Sequence, residues 1–284
     1  MPERKSYPEH HWLKNSDPAK VLKSYMDQQN KTYSRIKNGF IRELAGNLHG
    51  KRVLDYGCGA GLFTAYAASQ GAKAVVCVDA EETALSAARL LADQYGVSSS
   101  CTFIRSDSFP LLGQASSFDV VLLKDVIEHV DDDESLIRAA AAVLIPGGRL
   151  VISTQNALSL NFLLEGSYNR LWLGQRDWMG WDSTHVRFYT PMILSTKLRK
   201  AGLKRFSWRS VYLIPYKFPS LPGSSKEFLR LDGLALVDRL LGSIFPYNRL
   251  GWNILVRARA SSLVTRRVRL ARPVPIELAS APVL

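Results

Sequence analysis

Short apolar runs and longer stretches of helical spacing take turns along most of this chain. Runs at 51–55, 74–79, 101–106, 118–123 and 149–154 have strand length, and those at 74–79, 118–123 and 149–154 are rich in Val, Leu and Ile. Between them, 62–70, 81–95 and 133–144 carry apolar residues at helical intervals. This alternation predicts an α/β fold with a doubly wound, mostly parallel sheet and helices on both faces. The run Phe118-Asp-Val-Val-Leu-Leu123 is nearly all apolar, as a central strand covered on both faces should be. Upstream, Asp17-Pro18 has the form of a helix start, with Asp as cap and Pro in the first turn. Residues 18–46 then predict one or two covering helices. One stripe is Val21, Leu22, Tyr25 and Met26; another is Ile36, Phe40, Ile41 and Leu44. Downstream, Thr190-Pro191 opens a helix to Lys200 that Gly202 ends, strand 203–212 follows, and 252–257 reads as a last strand.

Two stretches break the rhythm. Residues 155–190 hold Asn156, Asn161, Tyr168, Trp172, Trp178, Trp181, His185, Phe188 and Tyr189, and are too long for an ordinary connection. They read as an aromatic lid; the tryptophans either pack the lid onto the core or line an acceptor pocket. Residues 213–250 carry Pro215, Pro219, Pro222 and Pro246. Within them, Phe228, Leu231, Leu234, Leu241 and Phe245 are spaced as on one helix over 226–245. The expected organisation is a helical cap (1–46, its first 16 residues poorly ordered), a domain (47–258) with insertions at 155–190 and 213–250, and a flexible basic tail (259–284).

The turn after the first strand carries the candidate chemistry. Residues 53–61 read Val-Leu-Asp-Tyr-Gly-Cys-Gly-Ala-Gly. Gly57, Gly59 and Gly61 allow a tight turn and close approach of a ligand, and the following helix aims its free N–H groups at it. No lysine follows as in a phosphate loop, and the spacing differs from a dinucleotide fingerprint. Asp79 ends the next strand 18 residues after Gly61, where a ribose-binding carboxylate belongs.

Composition and charge change the picture in one respect. With 284 residues, 46% hydrophobic and 22% charged, the chain has ordinary globular content and suggests one large domain. It shows no run of 18 apolar residues and no secretory leader, and Cys58, Cys77 and Cys101 lack metal-ligand spacing. A cytoplasmic protein is therefore expected. The net charge of +12 is concentrated in residues 197–284, which carry 17 Lys and Arg against 4 Asp and Glu. That asymmetry points to an anionic partner, a membrane surface or nucleic acid, or to a tail that keeps the protein soluble.

Val53–Gly61, Asp79, Ser106-Asp107, Phe118–Val121 and Leu144–Gly148 resemble, in order and spacing, the motifs of class I S-adenosylmethionine-dependent methyltransferases. The resemblance spans residues 35 to 212 and implies a Rossmann-like, seven-stranded fold. It also implies cofactor roles. The loop Gly57, Gly59 and Gly61 approaches the cofactor's amino acid and ribose parts. Asp55 orders the loop and meets the methionine end, and Asp79 takes the ribose hydroxyls. Asp107 with the Ser108 backbone takes the adenine amino group, and Lys124 gives a backbone contact. For Asp79 and Asp107, capping of the next turn is the competing reading.

Lys124-Asp-Val-Ile-Glu-His-Val130, Phe40-Ile41, Gly50-Lys51, Ser153–Asn156 and Ser183-Thr184-His185 resemble, more narrowly, the ubiquinone-biosynthesis O-methyltransferases. That resemblance matches Lys37 to a basic cofactor contact, arginine being usual there. It implies a divalent cation (Mg, Mn or Zn) on Asp125, Glu128 and His129, which would lower the pKa of a bound hydroxyl. Without metal, His129 is the candidate base and His185 the second. The regions 157–182 and 213–250 depart from that group. The expected activity is methyl transfer to oxygen of a small or lipid-linked, quinone-like acceptor. The alternatives are N-, C- or sugar methylation, RNA methylation, or cofactor binding without catalysis. RNA is less favoured, for there is no RNA-binding module, no aromatic–basic interleaving in the tail, and no Asn/Asp-Pro-Pro-Tyr/Phe motif. The apolar residues of 226–245 together with Arg230 and Arg239 suggest peripheral contact with an anionic membrane, against the plainer reading of a flap on the lid.

Overall fold

The computed structural model describes residues 12–109, 117–176, 178, 180, 184–219 and 228–261. The chain begins with α1 (Pro18–Gln29) and α2 (Thr32–Ala45). Asp17 caps α1 by accepting the Ala19 N–H at 2.9 Å, as the Asp-Pro pair predicts. A 3-10 turn, Trp12–Lys14, precedes it, within the stretch expected to be poorly ordered.

The strands follow the predicted alternation: β1 (Arg52–Tyr56), α3 (Leu62–Ser69), β2 (Ala74–Asp79), α4 (Glu82–Gln94), β3 (Cys101–Arg105), β4 (Phe118–Lys124), α5 (Asp133–Ala142) and β5 (Leu144–Gln155). Beyond lie α6 (Leu160–Ser167), α7 (Pro191–Lys200), β6 (Leu203–Val211), β7 (Lys217–Pro219), β8 (Phe228–Arg230), α8 (Leu236–Leu241) and β9 (Asn253–Ala260). Seven strands form one sheet in the order β3-β2-β1-β4-β5-β9-β6. The first five are parallel, and β9 runs antiparallel between β5 and β6.

Both faces of the sheet are covered. On one, Leu54, Val121, Leu123 and Ile152 pack with Leu136 and Ile137 of α5 and Leu194 and Leu198 of α7. On the other, Val53, Leu122 and Val151 pack with Ile41 and Leu44 of α2 and Phe63 of α3. Each such side chain, fully buried, contributes about 1.5–3 kcal/mol of apolar transfer. Val21, Leu22 and Tyr25 lay α1 against Ala87 and Leu91 of α4.

Three expectations change. The segment 226–245 is not one helix: it divides into β8, which pairs antiparallel with β7, a 3-10 turn (Asp232–Ala235), and the short α8. The reason is polar. Asp238 is fully buried, and its carboxylate accepts the backbone N–H groups of Tyr212 (2.8 Å) and Leu213 (2.9 Å). That anchor, not an apolar stripe, sets how α8 sits. The lid is more helical than a loop, with α6 running into a π-helical turn, Tyr168–Trp172; Trp181 lies outside the described residues. Finally, β9 extends through Arg259 and Ala260, which were expected in the tail, and the tail beyond residue 261 lies outside the described residues.

Topology decides where a ligand goes. Strands β1, β2, β4, β5 and β6 all end on one edge of the sheet. Both insertions leave from that edge, after β5 and after β6. In open α/β sheets ligands bind in the crevice outside the carboxyl ends of the strands.

Candidate active site

From β1 the chain turns into α3 through Gly57, Gly59 and Gly61, at φ 72°, 54° and 77°. A Cβ at Gly57 would lie 2.4 Å from Val126 Cγ2, and one at Gly61 2.7 Å from Ala88 Cβ. The turn is therefore seated directly against the exit of β4 and against α4. The Gly59 N–H donates to Asp79 Oδ2 at 2.8 Å, and Glu81 N–H to Asp79 Oδ1 at 3.0 Å. Asp79 thus holds the turn together and also faces the cleft above it. Burial raises its pKa, against the pull of those N–H bonds. Asp55 lies deeper and accepts the Thr64 hydroxyl at 2.7 Å. Its burial pushes the carboxyl to about 6, with Thr64 and Lys124 opposing.

A cleft of about 380 Å³ opens over this turn, lined by Asp55, Gly57, Gly59, Asp79, Asp107 and Lys124. Its volume suits a nucleoside with an amino-acid tail. A loop that excludes a Cβ at two glycines, beside a strand-end carboxylate, is the cradle such a ligand requires. The residues present fit S-adenosylmethionine. Ser106 and Asp107 line the cleft, whereas Ser108 shapes the turn: its N–H donates to Ser106 Oγ (3.3 Å), and that hydroxyl donates to its carbonyl (2.8 Å). Helices α1 and α2 add Tyr25, Gln29, Asn38 and Arg42 to the lining. Gln29 Oε1 accepts from Lys124 Nζ and from Asn38 Nδ2, both at 3.0 Å. Nothing in the local sequence marks Gln29. Burial pushes the Lys124 ammonium down to about 8, with Lys37 adding to the shift.

Lys37 does not line the cleft. Its Nζ donates to Asp125 Oδ2 at 2.5 Å and sits 5.3 Å from the centre of the Tyr33 ring. Asp125, at φ 54°, also accepts the Ser153 hydroxyl at 2.9 Å. Burial alone would raise Asp125, but Lys37 and Lys124 outweigh it and hold the carboxyl below its ordinary range.

Beyond the cleft a second group converges. Glu128 is fully buried on a 3-10 turn, Ile127–His129. Its Oε2 accepts the Thr154 hydroxyl at 2.9 Å, and its Oε1 has no hydrogen-bond partner among the described residues. Burial, with Asp125 adding, pushes it to about 8. The His129 ring lies 4.7 Å from that of His185, and its Nδ1 is 3.1 Å from Thr184 Oγ1. One ligand atom from each of Glu128, His129 and His185 falls within 4.8 Å of the others. Of the expected set Asp125, Glu128 and His129, Asp125 is engaged by Lys37 and Ser153, and His185 is the residue that lies with the other two. His129 also lines the cleft, so the two parts of the site meet there. In the lid, Phe162 packs with Phe188, Trp178 and Trp252 at 4.5, 5.8 and 6.2 Å. Trp172 is 82% exposed and packs nothing of the core.

Comparison with known proteins matches residues 27–206 to a family described as methyltransferase domain. The ubiquinone biosynthesis O-methyltransferase of Bordetella pertussis is 36% identical over 182 residues, 63% of this chain and 73% of that protein. The enzyme of the same description from Acinetobacter baylyi is 32% identical over 207 residues, covering 67% and 83%. Among solved structures, a SAM-dependent methyltransferase from Archaeoglobus fulgidus superposes with a TM-score of 0.53 at 16% identity, over 83% of this chain and 98% of that one. The [4+2]-cyclase SpnF superposes with 0.56 at 18%, over 82% and 83%. These two share the fold, and their different descriptions show that the fold alone does not name a reaction. The glycine turn, the strand-end Asp79 and a family match over more than half of the chain agree, and the protein belongs to the class I S-adenosylmethionine-dependent methyltransferases.

Proposed function

We propose that this enzyme methylates a hydroxyl oxygen of a small or lipid-linked, quinone-like acceptor. The observation that carries the reading is the Glu128–His129–His185 group beside the cleft, where an acceptor hydroxyl must lose its proton. The description of the Bordetella and Acinetobacter relatives points the same way. When bound, the cofactor supplies an electrophilic sulfonium methyl. The glycine turn and Asp79 fix its nucleoside, and α1 and α2 cover the cleft and exclude water. Thr184 Oγ1 holds His129 Nδ1, which leaves Nε2 to take the acceptor's proton. A divalent cation is the second form of this reading, favoured by Glu128 Oε1, which no described residue bonds. Glu128, His129 and His185 would hold Mg, Mn or Zn, and the cation would lower the pKa of a bound hydroxyl.

The test is transfer of labelled methyl to separate hydroxylated-aromatic, amine, sugar and RNA pools, with and without chelator. Transfer to the hydroxylated aromatics is expected. If chelator abolishes it and Mg, Mn or Zn restores it, the cation form holds. Full turnover in chelator, with His129→Ala inactive, leaves the base form. Label appearing only in the amine, sugar or RNA pool overturns the acceptor reading.

A lipid-linked acceptor also calls for a surface that meets lipid. No helix among the described residues is long and apolar enough to cross a membrane. The two insertions, however, expose Leu163, Leu164, Leu171 and Trp172 on one and Leu236, Leu240, Ile244 and Phe245 on the other. Both leave the sheet edge that bears the cleft, and Arg239 and Arg249 flank the second. We propose peripheral binding to an anionic bilayer through this surface, each basic residue near it contributing on the order of 1 kcal/mol. Co-flotation with anionic vesicles is expected, falling with added salt and with Leu240→Glu/Phe245→Glu. Protein that stays with the soluble fraction at low salt makes the segment a flap.

A further inference from the structure

The walls of the cofactor cleft are acidic: Asp55, Asp79, Glu81, Asp107 and Asp125 all line it. That suits a ligand whose ammonium and sulfonium outnumber its single carboxylate. The carboxylate then needs a cation, and among the described residues two candidates, Lys124 and Arg42, line the cleft. Lys37, to which sequence resemblance assigned a cofactor contact, is taken by Asp125. Arg42 is exposed, and its guanidinium lies 4.6 Å from the centre of the Tyr66 ring. Lys124 is different. It ends β4, in the strand next to the one that carries Asp55, and its side chain is partly buried. Its Nζ donates to Gln29 Oε1, and no acid lies within ion-pair distance of it among the described residues. Asn38 donates to the same Gln29 oxygen, which fixes the acceptor and so the direction of the ammonium. A partly desolvated ammonium held by a neutral amide is incomplete until an anion joins it.

We propose that the Lys124 ammonium is the counter-ion of the cofactor's α-carboxylate, with Gln29 as its positioning residue and Asp55 on the side of the cofactor's ammonium. The assignment differs from the backbone contact expected at this position. It rests on the family's cofactor and not on the acceptor reading, so either can fail without the other.

The experiment is calorimetry with two ligands: S-adenosylhomocysteine, and its decarboxylated analogue, which keeps the ammonium and the nucleoside. The wild-type protein should bind the first roughly thirtyfold or more tightly than the second, the scale of a desolvated charge pair. Lys124→Met should bind both alike, Gln29→Leu should narrow the gap, and Arg42→Gln should keep it. If Lys124→Met does not fold, as judged by its unfolding transition, Lys124→Gln carries the test, since it retains a donor toward Gln29. A Lys124 variant that keeps the wild-type preference overturns the assignment. So does one that loses the same factor for both ligands, the mark of a purely structural role. Loss of the preference in Arg42→Gln instead would move the role to Arg42.

Discussion

Gly61→Ala is expected to destabilise the protein by about 2–5 kcal/mol and to abolish measurable cofactor binding. Two effects add. Gly61 sits at φ 77°, where any side chain costs about 1–2 kcal/mol. Its Cβ would also lie 2.7 Å from Ala88 Cβ and 3.0 Å from Ala88 Cα, which belongs to the backbone of α4 and cannot swing away. Forcing atoms into such a packed contact costs roughly 1–3 kcal/mol more. Relief requires α4 to move off α3, which drags the glycine turn and Asp79 with it. Gly96 supplies the control. It has φ 67° but no described residue within 4 Å of its Cβ, so Gly96→Ala should show the backbone cost alone. Denaturant midpoints of the two variants, read beside calorimetry with S-adenosylhomocysteine, separate the effects. Equal midpoints would remove close packing from the account.

What the sequence could tell about this fold follows from the range of the signal. The alternation of strands and helices is a local pattern, so β1, β2 and β4 fall within a residue or two of the apolar runs at 51–55, 74–79 and 118–123. The position of Asp79 beside the glycine turn was readable because the end of β2 lies at a fixed distance from that turn. The pairs that complete the site are not local. Lys37 meets Asp125 across 88 positions, Lys124 meets Gln29 across 95, and His185 joins His129 across the whole lid. No periodicity records such meetings. The resemblance therefore matches Lys37 to the cofactor and Asp125 to a cation without registering that the two side chains pair with each other. The segment 226–245 shows a different failure. Its apolar spacing is real, but Leu231, Leu234 and Phe245 of that stripe are exposed, while the buried Asp238 fastens the segment to the backbone after β6. Helical spacing on a surface that faces outward does not specify a packed helix.

The Lys37–Asp125 pair carries the second large effect. Lys37 is nearly buried and Asp125 about three-quarters buried, so removing one partner strands the other away from water. Asp125→Asn should therefore cost roughly 2–4 kcal/mol, somewhat under the usual figure for a fully buried pair because Asp125 is partly solvated. Asparagine is the suitable replacement, since it tolerates the φ of 54° as aspartate does and changes only the charge. Lys37→Met should cost less, because Ser153 and nearby Lys124 still serve the carboxylate. The double variant should lose clearly less than the two singles together, which is the signature of a direct pair. Acid provides an independent reading. The carboxyl is held below its ordinary value in the folded protein, so its contribution is present above the unfolded pKa of about 3.9 and is lost as pH falls through the folded value. The stability difference between wild type and Asp125→Asn should stay level from pH 7 to pH 5 and shrink below about pH 4. A difference that is the same at every pH, or singles that simply add, would reduce the pair to a neighbour contact and leave Lys37 free to turn toward the cleft.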